Sequence, residues 1–249
     1  MDKAHRTQAL NLAVDIGAQD TIALPPGIPG RPDLPRMVHA TSIKLQSLRL
    51  PEGRAALIHS IAHIELNAID LALDIVLRFA GMPNAFYTDW VRIAQEEAEH
   101  FLLLRNHLLG YGFDYGDFDA HNTLWDMAER TKDDLLARVA LVPRTLEARG
   151  LEASPAVKNK LVGAGDIQAG EILDRILADE IGHVAAGNRW YRHLCAQRGL
   201  DPVSTYAQLI QQYNAPRLKA PFNLPARRLA GFEEAELQLL QNPPAALRT

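Results

Sequence analysis

The sequence predicts an all-α protein centred on a four-helix bundle. The first observation is a Glu-x-x-His spacing that occurs twice, from Glu97 to His100 and from Glu180 to His183. Residues three apart lie on one face of a helix, so each pair presents a carboxylate and an imidazole together. The second observation is a long apolar run, residues 55–80, that carries several ionisable side chains. Such a run is typical of a buried helix with a polar site.

Composition limits the class of protein. The 249 residues, 47% of them hydrophobic, are enough for one large domain or two small ones. The net charge of −4 gives no signal for a nucleic-acid partner. Cys195 is the single cysteine, which excludes an internal disulfide and fits a reducing compartment. Residues 1–17 lack the apolar core of a signal peptide, and the charges within 55–80 exclude an ordinary membrane span. We therefore expect a cytoplasmic protein with no membrane partner.

Proline and glycine mark the helices of the predicted bundle, which covers residues 52–197. Pro51 starts the first helix, Asp166 caps the last, and Pro143 is expected to kink the third. A Gly-rich and aromatic segment, 111–122, suits the crossover connection of such a bundle. A short helix is expected at 155–162, followed by a break at the Gly163-Ala-Gly165 sequence. The predicted long helices are 52–80, 84–109, one from Thr123 past Val142, and 166–197.

The flanking segments are predicted as arms. Residues 1–51 comprise a weakly periodic helix at 4–17 and a Pro-rich stretch, 24–35, which is either an extended surface arm or a flexible linker. Residues 198–249 comprise short helices near 203–213 and 233–240 and a basic Pro-rich arm, packed on the bundle. That arm carries Arg217, Lys219, Arg227 and Arg228. The net negative charge of the chain argues against a nucleic-acid role for these residues.

The candidate metal ligands come from all four helices. Two Glu-x-x-His pairs supply half of a carboxylate-bridged two-metal site, and each remaining helix supplies one further carboxylate. Glu65 lies in an apolar stripe where a lone carboxylate would be unfavourable. Glu147 is the candidate on the third helix, with Glu129, Asp133 and Asp134 as alternatives. The predicted ligands are Glu65, Glu97, His100, Glu147, Glu180 and His183.

The chemistry of these six residues predicts the metal. Four carboxylates and two imidazoles balance two divalent cations, and this donor set suits iron while permitting manganese or zinc. Glu97 and Glu180 are expected to bridge the ions. His59 and His63 are four residues apart, His63 lies about 200° from Glu65 around the helix, and both are predicted to be packing residues. Metal binding is expected to stabilise the fold, and no catalytic residue beyond the ligands is predicted. The nearest candidates to orient the histidines are Asp70, Asp74, Asp179 and Arg144.

Residues 52–197 resemble the ferritin-like di-iron carboxylate superfamily. Leu146-Glu-Ala-Arg149 followed by Glu180-x-x-His183 is similar to the tRNA-hydroxylase branch. The sequences around Glu65, Glu147 and His183 look most like an uncharacterised bacterial ferritin-like family. The resemblance implies a four-helix bundle and a di-iron centre at the six positions, but it does not identify a substrate. The Pro-rich arm and the basic C-terminal segment depart from compact ferritins and argue against iron storage.

The expected function is that of an O2-activating non-haem di-iron oxidoreductase, a hydroxylase or oxidase of unknown substrate. The alternatives are a non-catalytic metal-binding or iron-handling protein and a helical bundle without metal. A redox partner and a homodimer are both possible, and the sequence does not decide either question.

Overall fold

A computed structural model describes residues 27–44, 46–216 and 218–242. Within those ranges there is no β-strand, only an isolated bridge between Met37 and Ala120, so the predicted all-α class is confirmed. The helix expected at 4–17 lies outside the described residues. The α-helices are α1 (Pro51–Arg78), α2 (Asn84–Gly110), α3 (Thr123–Arg130), α4 (Leu135–Leu141), α5 (Gly150–Gly163), α6 (Ile167–Gln197), α7 (Pro202–Gln212), α8 (Leu224–Leu229) and α9 (Glu234–Gln241).

The described residues divide into two compact units, the first comprising those within 27–126 and 158–172. Its framework is α1 packed against α2, close to the two helices that the sequence predicts at 52–80 and 84–109. Pro51 occupies the first turn of α1, where its missing N–H removes no helical hydrogen bond. Fully buried side chains fill the unit, among them Ile58, Ile69, Phe86 and Leu104. The predicted division at residues 51 and 197 stays a prediction.

The described part of the Pro-rich stretch, residues 27–35, contains no helix, as its prolines predict. Arg31 Nη2 donates to Asn67 Oδ1 of α1 at 2.6 Å. Further along, Val38 N donates to Ala120 O at 2.8 Å, and Ala120 N donates to Arg36 O at 3.0 Å. These bonds fix the segment to α1 and to the connection that follows α2.

The third predicted helix is interrupted, and the expectation of one helix from Thr123 past Val142 is wrong. A turn separates α3 from α4, because the Asp134 carboxylate accepts from Leu136 N and Ala137 N and starts a new helix. The buried guanidinium of Arg138 stabilises that turn by donating to Thr131 Oγ1 at 3.0 Å. After α4 the backbone forms a π-helical turn, Val142–Leu146, instead of a simple kink at Pro143.

The segment after the π-helical turn also differs from the prediction. A 3-10 turn, Glu147–Arg149, leads directly into α5, so the helix expected at 155–162 begins at Gly150. The predicted break after Gly163 is present, and Asp166 caps α6 by accepting from Ala169 N at 2.9 Å. Gly187 of α6 has a reason to be glycine, since an added Cβ would lie 3.1 Å from Pro143 Cβ.

The second unit comprises the described residues within 127–157 and 173–242. A buried apolar cluster joins α6 to α8 and α9, with Leu151, Val184, Phe232 and Leu237 among its members. The basic arm expected at 215–228 contains helix α8, a feature that the sequence reading missed. Arg227 is buried against Glu152 and Arg228 pairs with Glu234, so these charges are neutralised within the unit.

Among the described residues, no helix combines the length and the apolar character that crossing a bilayer requires.

Candidate metal centre

Three ligand-type side chains meet in the first unit. Glu65 lies in the middle of α1, and Glu97 and His100 lie one turn apart in α2. His100 Nδ1 is 3.3 Å from Glu65 Oε2 and 3.3 Å from Glu97 Oε2. Glu97 and His100 are fully buried and Glu65 is 4% exposed. The packing of α1 on α2 therefore brings two carboxylates and an imidazole together away from water.

The electrostatics of this group are dominated by the two carboxylates. Burial alone would lower the pKa of His100, because it disfavours the charged imidazolium. Hydrogen bonds and charge from Glu65 and Glu97 outweigh burial and raise the pKa of His100 to about 11. Without another cation, the imidazole would hold a proton in place of a metal.

The second Glu-x-x-His pair lies in α6. Glu180 is 8% exposed and His183 is fully buried. His183 Nδ1 is 3.9 Å from Glu180 Oε1, as expected for residues three apart on one helical face. Both predicted pairs are therefore buried, whereas Glu and His on ordinary helix surfaces are exposed.

Glu65, Glu97, His100 and Glu180 form a buried group that can hold a metal ion. One ligand atom from each lies within 4.8 Å of the others. Glu147 and His183 are not in this group of described residues. Glu147 is half-buried on the 3-10 turn that follows the π-helical turn.

Two of the three alternatives to Glu147 have other contacts. Glu129 is exposed and pairs with Lys132, the Nζ and Oε1 atoms being 2.6 Å apart. The Asp134 carboxylate caps α4. Among the residues expected to orient the histidines, Asp74 binds Arg78 on the same helix and Arg144 binds Asn188 and Glu236.

The donor set fits a divalent cation. Three carboxylates and a neutral imidazole carry three negative charges, which a divalent cation bound among them would offset. Carboxylate oxygen with imidazole nitrogen suits iron or manganese and tolerates zinc. The four-residue group by itself fixes neither the identity nor the number of ions.

Comparison with known proteins identifies a family. The model of the family described as "Protein of unknown function (DUF455)" matches residues 1–238. The chain belongs to this family. A relative from Haemophilus influenzae, described as "Uncharacterized protein", is 43% identical over 242 residues, covering 94% of this chain and 82% of the relative. No solved structure matches the chain.

In this member of the DUF455 family, His59 and His63 have packing contacts, as their position on the helix predicts. His59 Nε2 accepts from Gly116 N at 3.0 Å, and its ring stacks on Tyr115. His63 Nδ1 lies 2.7 Å from Tyr115 Oη. Burial lowers the pKa of both histidines to about 4, so they are neutral at physiological pH. They hold the connection after α2 against α1.

Two polar clusters were not predicted from the sequence. In the first unit, Tyr111 Oη donates to Asp166 Oδ2 at 2.7 Å, and His107 Nε2 lies 2.9 Å from the same atom. In the second unit, aromatic rings surround Arg144 at distances of 4.2 to 5.0 Å. Each cluster joins residues far apart in the chain, so no local spacing could have indicated it.

Proposed function

We propose that this protein is a ferritin-like, non-haem di-iron oxidoreductase that activates O2 in order to oxidise a substrate. The observation that carries the proposal is the buried contact of His100 with Glu65 and Glu97, supplemented by Glu180 as a fourth donor. Carboxylates are seldom buried together, because each loses the hydration that stabilises its charge. A metal ion bound among them would explain why three lie in an apolar interior.

The proposed centre uses the full set of six ligands. Glu147 and His183 complete it, and two ions then match the charge of four carboxylates. The burial of His183 beside Glu180 supports its assignment. Support for Glu147 comes from its place beside a π-helical turn, since such turns are frequent at functional sites.

The chain would contribute positioning and exclusion of water. Glu97 and His100 are fixed by one turn of the same helix, and Glu65 by the packing of α1 on α2. Ile69, Ile93 and Leu104 each lie one helical turn from Glu65, Glu97 and His100 respectively, and all three are 2% exposed or less, so water is excluded on this face. Held by these residues, two ferrous ions would supply electrons for the reduction of O2, and the buried surroundings would limit the escape of reactive products.

Metal content tests the proposal directly. Protein purified without chelator and loaded with ferrous iron under anaerobic conditions should contain about two ions per chain by elemental analysis. The His183→Ala variant should retain about one ion, and Glu97→Gln should lose most of both. The matched control is Glu99→Gln, since Glu99 is an exposed residue of the same helix. Wild-type protein that folds but binds no metal would refute the proposal.

Oxygen consumption distinguishes an enzyme from an iron-handling protein. A reduced iron-loaded enzyme should consume O2 rapidly, in stoichiometric proportion to its two ions, and should turn over again when an electron donor is supplied. Slow oxidation with accumulation of more than two ferric ions per chain would instead support iron handling.

A further inference from the structure

The second unit contains a cavity of about 320 Å³, near the lower limit of small-molecule sites. Helices α7 and α9 and the residues around Leu218 form most of its wall. The apolar wall residues are Val203, Ala207, Ile210, Leu218, Leu239 and Leu240. An apolar cavity of about 150 Å³ can bind benzene, so this space corresponds to a ligand of roughly ten non-hydrogen atoms.

A buried cation lies at one side of this cavity. Arg144 is 1% exposed and is among the lining residues. Its Nε donates to Asn188 Oδ1 at 2.8 Å, and its Nη2 donates to Glu236. Its Nη1 has no hydrogen-bond partner within the part of the chain that the structure describes. An unsatisfied buried donor is unfavourable, and a ligand that accepted from it would remove that penalty.

The surroundings hold this guanidinium rigidly. Its central carbon lies 4.2 Å from the ring centre of Tyr206, 4.8 Å from that of Tyr191 and 5.0 Å from that of Phe232. Cation–π contacts and the Asn188 bond fix its orientation before any ligand binds. Preorganisation of this kind lowers the entropy lost on binding.

The buried carboxylate beside Arg144 is shared with a second cation. Glu236 accepts from both Arg144 and Arg192, the latter at 3.0 Å, and Arg192 also lies 3.5 Å from the exposed carboxylate of Glu233. Among the described lining residues, Arg227 is a further cation, and it is paired with Glu152 at 2.7 Å. Arg144 therefore shares its buried carboxylate and keeps one buried N–H for an acceptor, and the matching ligand has an anionic acceptor on an apolar body.

We propose that this cavity binds a monocarboxylate with an aliphatic or similarly apolar tail, its carboxylate paired with Arg144. Guanidinium and carboxylate are complementary in charge and geometry, and the apolar walls accept the tail. The size of the cavity indicates a tail about as long as that of octanoate. The site is independent of the proposed metal function, since its argument uses residues of the second unit alone.

Calorimetric titration of the full chain tests the chain-length dependence, with butanoate, hexanoate and octanoate as ligands. Affinity should rise roughly fifteen-fold for each two methylenes, at ~0.8 kcal/mol per buried methylene, and should level off beyond octanoate. Octanol and octylamine test the charge, and both should bind at least ten-fold more weakly than octanoate. Equal binding of octanol, or no binding of octanoate, would overturn the proposal. The titrations are repeated on metal-free and metal-loaded protein, so failure of the metal proposal leaves this result intact.

Two variants locate the site. Arg144→Gln should weaken octanoate binding at least ten-fold and leave octanol binding unchanged. Because Arg144 also supports the fold, Ala207→Phe provides a second test that fills the cavity and keeps every bond of Arg144. It should abolish octanoate binding, whereas the matched control Gln208→Phe, at an exposed position of the same helix, should not. Octanoate binding that survives Ala207→Phe would place the ligand elsewhere and refute the assignment.

Discussion

Replacing Glu97 by Gln should have different consequences in metal-free and metal-loaded protein. The substitution keeps the shape of the side chain and removes one buried negative charge. In metal-free protein the remaining Glu65–His100 pair is still balanced, so the free energy of unfolding should change little. In metal-loaded protein a ligand is lost, and the stabilisation that the metal provides should largely disappear.

The distances give the magnitude for metal-free protein. A charge pair at 3.3 Å, the separation of His100 Nδ1 and Glu97 Oε2, is worth about 5 kcal/mol at an effective dielectric constant of 20. Desolvation of a buried carboxylate costs several kcal/mol, and repulsion from Glu65 adds to that cost. The attraction to His100 and the combined cost of desolvation and repulsion nearly cancel. We therefore expect Glu97→Gln to change the free energy of unfolding by no more than about 1 kcal/mol.

Mass action gives the magnitude for metal-loaded protein. Free metal at about 100 times its dissociation constant stabilises the wild type by ~2.7 kcal/mol. For a chain of this length, 1 kcal/mol corresponds to roughly 2–4 °C in Tm, so the metal should raise Tm by about 5–10 °C. If the variant binds about 100-fold more weakly, the same metal concentration stabilises it by only ~0.4 kcal/mol.

Thermal unfolding of stripped protein, with and without anaerobic ferrous iron, measures these shifts. Glu99→Gln makes the same chemical change at an exposed position of α2 and should show the full wild-type shift. A Glu97→Gln variant destabilised equally with and without metal would show that Glu97 is only a structural ion-pair partner. Such a result would refute the reasoning.

Three other perturbations test the fold around the candidate centre. Asp166→Ala removes a helix cap and the bonds to Tyr111 and His107, and should lower the free energy of unfolding in urea by about 3 kcal/mol. His59 has a folded pKa of about 4, below its unfolded value of about 6.5, so the unfolded chain takes up the proton first as pH falls. Stability is therefore lost between about pH 6.5 and 4, by ~2 kcal/mol at pH 5 for this residue, and His59→Gln should flatten that part of the profile. Gly53→Ala should destabilise by about 1–3 kcal/mol in thermal unfolding, because its Cβ would overlap the Ser47 carbonyl oxygen.

Matched controls separate these effects from general sensitivity to substitution. Asp201→Ala removes an exposed cap whose Oδ1 accepts from Ser204 N at 2.8 Å, and should cost only about 1 kcal/mol. Gly182→Ala, at an exposed position of α6 with nothing near the added Cβ, should stabilise by roughly 0.5–1 kcal/mol. A Gly53→Ala variant as stable as Gly182→Ala, or an Asp166→Ala variant no worse than Asp201→Ala, would contradict the contacts described. An unchanged pH profile in His59→Gln would do the same for His59.

The parts of the fold that depend on local signals were predictable. Pro51, the break after Gly163 and the Asp166 cap all appear where the sequence places them, because each acts on the backbone of its own residues. Glu65 was predictable for a related reason, since a carboxylate inside an apolar stripe has few explanations other than a buried site. The all-α class was predictable from the helical spacing of residues along the chain, which is also a local signal.

The parts that depend on distant partners were not predictable. Helix α8 lies in a segment that reads as a basic arm, and the burial of its Arg227 depends on Glu152, far earlier in the chain. The turn between α3 and α4 is stabilised by Arg138, whose guanidinium reaches back to Thr131. Neither contact can be recognised from residue spacing, because a basic residue is expected to be exposed unless the group that accepts its hydrogen bonds is known.

The position of Glu147 shows most clearly where periodicity fails. A regular helix turns 100° per residue, and the expected direction of Glu147 rests on that value. Pro143 lacks an N–H, and the Thr145 hydroxyl donates to Ala140 O at 2.7 Å, so the backbone widens into the π-helical turn. The 3-10 turn that follows tightens it again. Two deviations of opposite sense lie directly before Glu147 and at it, so its direction depends on local backbone geometry that helical spacing does not encode. Metal content of a Glu147→Gln variant therefore tests that assignment more stringently than any pattern in the sequence.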